Sequence, residues 1–216
     1  DAAGGADALG MVVNLGIYYG WAAAYLKDEA AALRVARETC DFLAGLGAGN
    51  VLLEIGNEID NASYTHAVLK PARAAEMFAL VRARCPGLLV STSFNGGIVP
   101  PDDVIALSDY VLLHGNNVET PDGIRRQVAA TRASAAYRGQ PLLYNEDDHY
   151  DFDQPDNNFV AAVEGGAGWG FFDFRRTREK FPDGFQSLPV DWGITSDRKR
   201  GFFRLLAEMT GAETPA

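Results

Sequence analysis

Apolar residues along this chain fall into six short runs, each followed by a segment with apolar positions at helical spacing. Residues 10–19 (GMVVNLGIYY), 51–57, 88–93, 109–115 (DYVLLHG), 141–145 (PLLYN) and 168–174 (GWGFFDF) are the runs. Such runs match strands buried on both faces of a parallel sheet. Between them, 28–46 places Leu33, Ala36, Cys40 and Leu43 on one helical face and stops at Gly47-Ala48-Gly49. Pro71 opens a helix to about residue 84, closed by Pro86-Gly87. Further helices are predicted over 101–108, 122–137 (with Pro121 and Asp122 as start signals), 158–164 and 199–209, while residues 1–9 read as a small-residue lead-in.

Regular alternation of strand and helix predicts an α/β fold with a parallel sheet, either doubly wound or closed as a TIM (β/α)8 barrel. No glycine-rich phosphate loop follows the first strand. Polar and aromatic residues instead mark the ends of nearly every run: Asn14, Glu58, Asn95, His114, Glu146 and Trp169. Barrel active sites are built at the C-terminal ends of the strands, so the barrel is favoured. Six βα units fall short of eight. Because the chain opens on Asp1 and reaches a strand almost at once, the first two units are expected to be missing from it. Residues 1–216 read as a single domain, the C-terminal part of such a barrel.

Composition narrows the partners. Apolar residues make up 47% and charged residues 22%, with a formal charge of −10, which argues against nucleic acid or an anionic membrane surface and suits a neutral substrate. No apolar run approaches the roughly 20 residues a membrane-crossing helix needs. Cys40 and Cys85 have no metal-ligand spacing and are expected to be buried free thiols.

The chemistry gathers around residues 50–60, Asn-Val-Leu-Leu-Glu-Ile-Gly-Asn-Glu-Ile-Asp. Alternation puts Leu52, Glu54, Gly56 and Glu58 on one face of the strand. Two carboxylates there are expensive unless they are paired or put to chemical use. A structural ion pair with an arginine is the plain alternative.

Leu53-Glu54-Ile55-Gly56-Asn57-Glu58 resembles the fourth-strand signature of clan A glycoside hydrolases, the group of barrel cellulases and mannanases. Residues 109–114 are similar to the sixth strand, which ends in a substrate-facing His. Residues 141–146 resemble the seventh, whose terminal Glu is the nucleophile, and Gly168-Trp169 the eighth, where a Trp floors the sugar site. The resemblance runs from the third strand to the eighth. Departures from the pattern are Ile59-Asp60 in place of a proline, Asn116 where many members have Tyr, and Asp147-Asp148-His149 after Glu146.

The resemblance implies a retaining glycosidase with Glu58 as acid/base and Glu146 as nucleophile. Asn57, His114, Trp169, Asn14, Asn116 and Tyr18 are the candidate sugar-binding residues. Tyr19, Trp21 and Tyr150 are further possible platforms, and Asp191 and Trp192 a possible substrate wall. Glu54 is expected to be a structural carboxylate deeper in the barrel. No cofactor is implied, a carbohydrate is the expected partner, and a secreted or periplasmic location is favoured; the oligomeric state is open. Two other readings stay open. One is a barrel that binds carbohydrate or a protein after losing catalysis. The other is a metal-dependent hydrolase using Glu146, Asp147, Asp148, His149 and His114, which three histidines and no HxH or HExxH pattern make the weaker.

Overall fold

The computed structural model describes residues 2–47, 49–180, 183–184 and 193–212. Asp191 and Trp192 lie outside the described residues. The chain is α/β, with six parallel strands in two three-stranded sheets ordered β1-β2-β3 and β4-β5-β6. The strands are β1 (Val13–Tyr19), β2 (Val51–Asn57), β3 (Leu89–Ser91), β4 (Val111–His114), β5 (Leu142–Asp147) and β6 (Ala167–Phe171). The helices are α1 (Ala2–Ala8), α2 (Gly20–Ala23), α3 (Glu29–Leu46), α4 (Ala74–Arg84), α5 (Asp102–Leu107), α6 (Pro121–Ala133), α7 (Asn158–Glu164) and α8 (Asp197–Thr210). None of the described helices is long and apolar enough to cross a membrane.

Local chemistry explains most of the boundaries. Asp28 caps α3 by accepting from Ala31 N at 2.7 Å, and Gly47 ends it at φ 63°, a left-handed conformation natural to glycine. Thr120 and Ser196 cap α6 and α8 in the same way. Helix α6 stops at Ala133 rather than near 137, because the Ser134 hydroxyl turns out to Asp102 at 2.6 Å and accepts from Ala136 N. The expected lead-in is instead helix α1, tied down by the Asn50 side chain, which donates to the carbonyls of Ala3 and Met11.

The core splits along the same line as the sheets. Leu53, Ile55, Met77, Phe78 and Val90 belong to one cluster, and Val111, Leu113, Ile124, Leu142 and Tyr144 to the other. Cys40 and Cys85 are buried and free, Cys85 Sγ donating to the Cys40 carbonyl.

Asp109 N donates to Val90 O at 3.0 Å and Gly97 N to His114 O at 3.0 Å, joining the two sheets at β3 and β4. Side-chain bonds also reach from one sheet to the other. Tyr110 Oη donates to Asn14 Oδ1 at 2.9 Å, and Asn145 Nδ2 donates to Glu54 Oε2 at 3.2 Å. The second bond brings β2 and β5 face to face, which puts the residues at their C-terminal ends opposite one another.

Candidate active site

Glu58 follows the last residue of β2 with a backbone φ of 52°, rare for a residue with a side chain. Its amide donates to Ser93 Oγ at 2.9 Å, and the next amide, of Ile59, donates to Ser93 O at 3.0 Å. These bonds hold the turn that lifts the Glu58 carboxyl off the strand line.

Glu146 is positioned by an irregularity in β5. Leu113 pairs with Tyr144 but His114 pairs with Glu146, so Asn145 is an extra residue. The bulge lets two consecutive side chains act on the interior: Asn145 reaches Glu54, and Glu146 reaches His114. Its neighbours go the other way. Tyr144 Oη bonds Gln127 Oε1 of α6 at 3.0 Å, and Asp147 is fully buried.

His114 stands between the carboxyls. Its Nδ1 lies 3.1 Å from Glu58 Oε1 and 3.8 Å from Glu146 Oε2. One ring nitrogen of His114 and one oxygen of each carboxyl lie within 4.8 Å of one another. The imidazole is fully buried, whereas the Glu58 and Glu146 side chains stay 19% and 14% exposed, so a substrate can reach both carboxyls.

Electrostatics follow from this crowding. Burial pushes Glu146 up to about 7; His114 opposes the rise, while Glu58, Glu54 and Asp148 add to it. Burial also raises Glu54, against hydrogen bonds from Ser93 and Asn145. For His114, burial disfavours the cation, but the Glu58 hydrogen bond and the charges of Glu146 and Glu54 outweigh it, so its net shift is upward.

The remaining sequence candidates divide. Asn57 is buried immediately before Glu58 and beside Tyr19 in the sheet, its carbonyl accepting from Tyr64 Oη at 2.7 Å. Asn116 is half-buried two residues past His114, its carbonyl packed so closely on Gly96 that no Cβ fits there, and its Oδ1 has no described partner.

Three of the candidates have their side chains engaged elsewhere. Asn14 is the second residue of β1, at the end away from the site, and its side-chain oxygen is taken by Tyr110. Tyr18 is buried with its hydroxyl donated to Ala32 O of α3 at 2.5 Å, so it serves the core. Trp169 turns to the helix layer. It stacks on Phe159 of α7 with ring centroids 5.0 Å apart, meets Phe202 of α8, and donates Nε1 to Asp147 Oδ2 at 3.0 Å.

Tyr19, next in the strand, lies by the carboxyls instead. Its phenol is raised by burial and by the charges of Glu146 and Glu58, and its ring meets Trp21 edge-on at 5.9 Å. Both rings are open to solvent. Asn145 and Ser93 were not singled out by the sequence. Asn145 carries no signal beyond standing next to Glu146, and Ser93 lies 39 positions from the Glu54 it bonds.

The residues of the metal reading fall into two groups rather than one: Asp147, Asp148 and His149 offer ligand atoms within 4.8 Å of one another, apart from Glu146 and His114. Asp147 Oδ1 accepts from His149 N and Nδ1, and its Oδ2 from Trp169 Nε1 and Asn158 Nδ2, so both oxygens are committed to the frame. Glu146 and His114 belong to the other cluster, with Glu58. A hollow of 430 Å³ lined by Asn117, Glu119, Asp148, His149, Tyr150 and Arg176 opens beyond the C-terminal ends of β4 and β5. A larger one, 770 Å³, lies at the N-terminal ends of β1–β3, away from the carboxyls.

No protein-family model matches the chain, and no curated protein matches it. Solved structures do. A glycoside hydrolase family 5 protein from Bacteroides vulgatus superposes with a TM-score of 0.56 at 15% identity, over 82% of this chain and 43% of that one. The hyperthermostable endo-1,4-β-D-mannanase of Thermotoga petrophila, solved with maltose and glycerol, gives 0.58 at 10% identity over 96% and 78%. A glutamate-to-alanine variant of GH5_18 from Streptomyces cattleya, in complex with Manβ1-4GlcNAc, gives 0.55 at 17% over 100% and 67%. The chain spans less than half the length of the first of these. At such identities the likeness is one of fold alone, to the TIM barrels of glycoside hydrolases.

Proposed function

We propose that the chain, read as a single domain carrying six consecutive units of a (β/α)8 barrel, is a glycoside hydrolase. It would cleave O-glycosidic bonds of an oligo- or polysaccharide by double displacement. The observation that carries this reading is the approach of the Glu58 and Glu146 carboxyl oxygens to within 4.8 Å. Retaining glycosidases hold their two carboxyls about 5–5.5 Å apart, a separation compatible with oxygens that approach this closely.

Glu146 attacks the anomeric carbon while Glu58 gives its proton to the departing glycosidic oxygen. Water then displaces Glu146 from the glycosyl ester, and Glu58 takes the water's proton, restoring both groups. The pair must carry one proton at working pH. The rise of Glu146 to about 7 is consistent with a proton shared in this cluster, and His114, between the two carboxyls, is placed to pass it across. Tyr19 and Trp21 offer exposed aromatic faces to the apolar side of a sugar.

A second reading exchanges the roles. The free protein favours the proton on Glu146, and Glu58 makes the closer contact with His114. Substitution separates the two. In the first reading Glu146→Ala abolishes hydrolysis and azide partly restores it. Glu58→Ala, in contrast, keeps turnover of aryl glycosides with good leaving groups. The reverse pattern assigns the roles the other way, and equal loss with no rescue on any glycoside overturns the reading.

A further inference from the structure

Glu54 lies beneath the carboxyl pair, 5% exposed, and is bonded towards both members. Its Oε1 accepts from Ser93 Oγ at 2.5 Å, and Ser93 Oγ in turn accepts from Glu58 N at 2.9 Å. Its Oε2 accepts from Asn145 Nδ2 at 3.2 Å, on the bulge residue that precedes Glu146. No lysine or arginine among the described residues pairs with it. Its hydrogen bonds come from neutral donors, and the nearby His114 offsets its desolvation only in part, so burial still raises it and it is a poor source of stability. What the arrangement supplies is geometry: one rigid, forked acceptor ties β2, β3 and β5 directly under the site.

We propose that Glu54 is a positioning residue, a brace that fixes the separation and aim of the Glu58 and Glu146 carboxyls through Ser93 on one side and Asn145 on the other. Glu58 needs such a brace because its backbone sits at φ 52°, a conformation that relaxes unless neighbouring bonds hold it. Ser93 supplies two of those bonds, through its hydroxyl to Glu58 N and its carbonyl to Ile59 N. The function of the brace rests on the two-carboxyl glycosidase reading, but its geometry does not.

The test uses the full chain and two readouts, crystal structures and steady-state kinetics on aryl glycosides. Glu54→Ala is expected to lower kcat by about 100-fold, the effect of a misplacement near 1 Å, with KM within about threefold. Its structure should show Glu58 leaving positive φ, or the carboxyl oxygens moving beyond 4.8 Å. Glu54→Gln should restore most of kcat. The Gln oxygen still accepts from Ser93, and its amide can donate to Asn145 Oδ1, which has no described partner at present. Ser93→Ala, which spares the Asn145 bond, should disturb Glu58 and leave Glu146 in place, and it serves where Glu54→Ala does not fold. An unchanged carboxyl pair in both Glu54→Ala and Ser93→Ala, or a Glu54→Gln as impaired as Glu54→Ala, overturns the brace. A wild-type chain that hydrolyses no glycoside overturns the glycosidase reading instead, and the crystal structures still decide on the brace.

Discussion

Tyr18 and Tyr19 are adjacent in β1 and serve opposite sides of the sheet. Tyr18 lays its ring on the helix layer and bonds the Ala32 carbonyl, while Tyr19 lies close enough to Glu146 and Glu58 for their charges to act on its phenol. Tyr18→Phe should therefore cost stability, about 1 kcal/mol for one buried hydrogen bond, without changing KM. Tyr19→Ala should raise KM on any sugar the site accepts, at little cost in stability. Urea unfolding paired with steady-state kinetics on both variants checks the division; a KM effect confined to Tyr18→Phe would refute it.

Acid should stabilise this fold. Glu146 rises from 4.5 to about 7 on folding, so between those values the folded chain keeps a proton that the unfolded chain has lost. Stability falls as pH rises through that window and stays lower above it. His114 is also raised, so its contribution is present below its unfolded value and disappears as pH passes its folded one, in the same direction. At about 1.4 kcal/mol per unit, discounted for partial exposure, the Glu146 share is roughly 1–3 kcal/mol. Thermal unfolding followed from about pH 5 to about pH 8 should show a falling midpoint, and Glu146→Gln should flatten it. A midpoint that rises with pH in the wild type would contradict the assignment.

Asp147 is predicted to be structural although it adjoins the site. Asparagine has one acceptor oxygen where Asp147 uses two, and its amide would face the Trp169 and Asn158 donors or those of His149. Asp147→Asn should lose about 2–4 kcal/mol, measured by urea unfolding, from unpaired buried groups. Glu146→Gln at pH 8 should show no comparable loss.

Trp169 gives the complementary case. Trp169→Phe keeps the aromatic packing on Phe159 and Phe202 and removes only the bond to Asp147, so sugar affinity should stay within about twofold while stability falls by about 1 kcal/mol. Trp169→Ala should cost about 3–5 kcal/mol. A selective loss of sugar binding in Trp169→Phe, seen by isothermal titration, would return this residue to the site.

The alternation of strands and helices, the end of α3 at Gly47, the start of α6 at Pro121, and the placing of Glu58 and Glu146 at strand ends were all readable from the chain itself. Each depends on residues within a few positions of one another: an apolar run, a proline at a helix start, a glycine in a left-handed turn. Which way individual side chains face was not readable. Successive residues of a strand point to opposite sides, so a single bulge reassigns everything beyond it. In β5 the extra residue Asn145 lets both it and Glu146 work on the interior and sends Asp147 to the frame. In β1 the choice between Tyr18 and Tyr19 depended on where α3 docked. The join of Glu54 to Glu58 through Ser93, and to β5 through Asn145, spans up to 91 positions of sequence. Only the tertiary pairing of strands brings those residues within hydrogen-bonding distance, because no local pattern encodes a contact between strands so far apart.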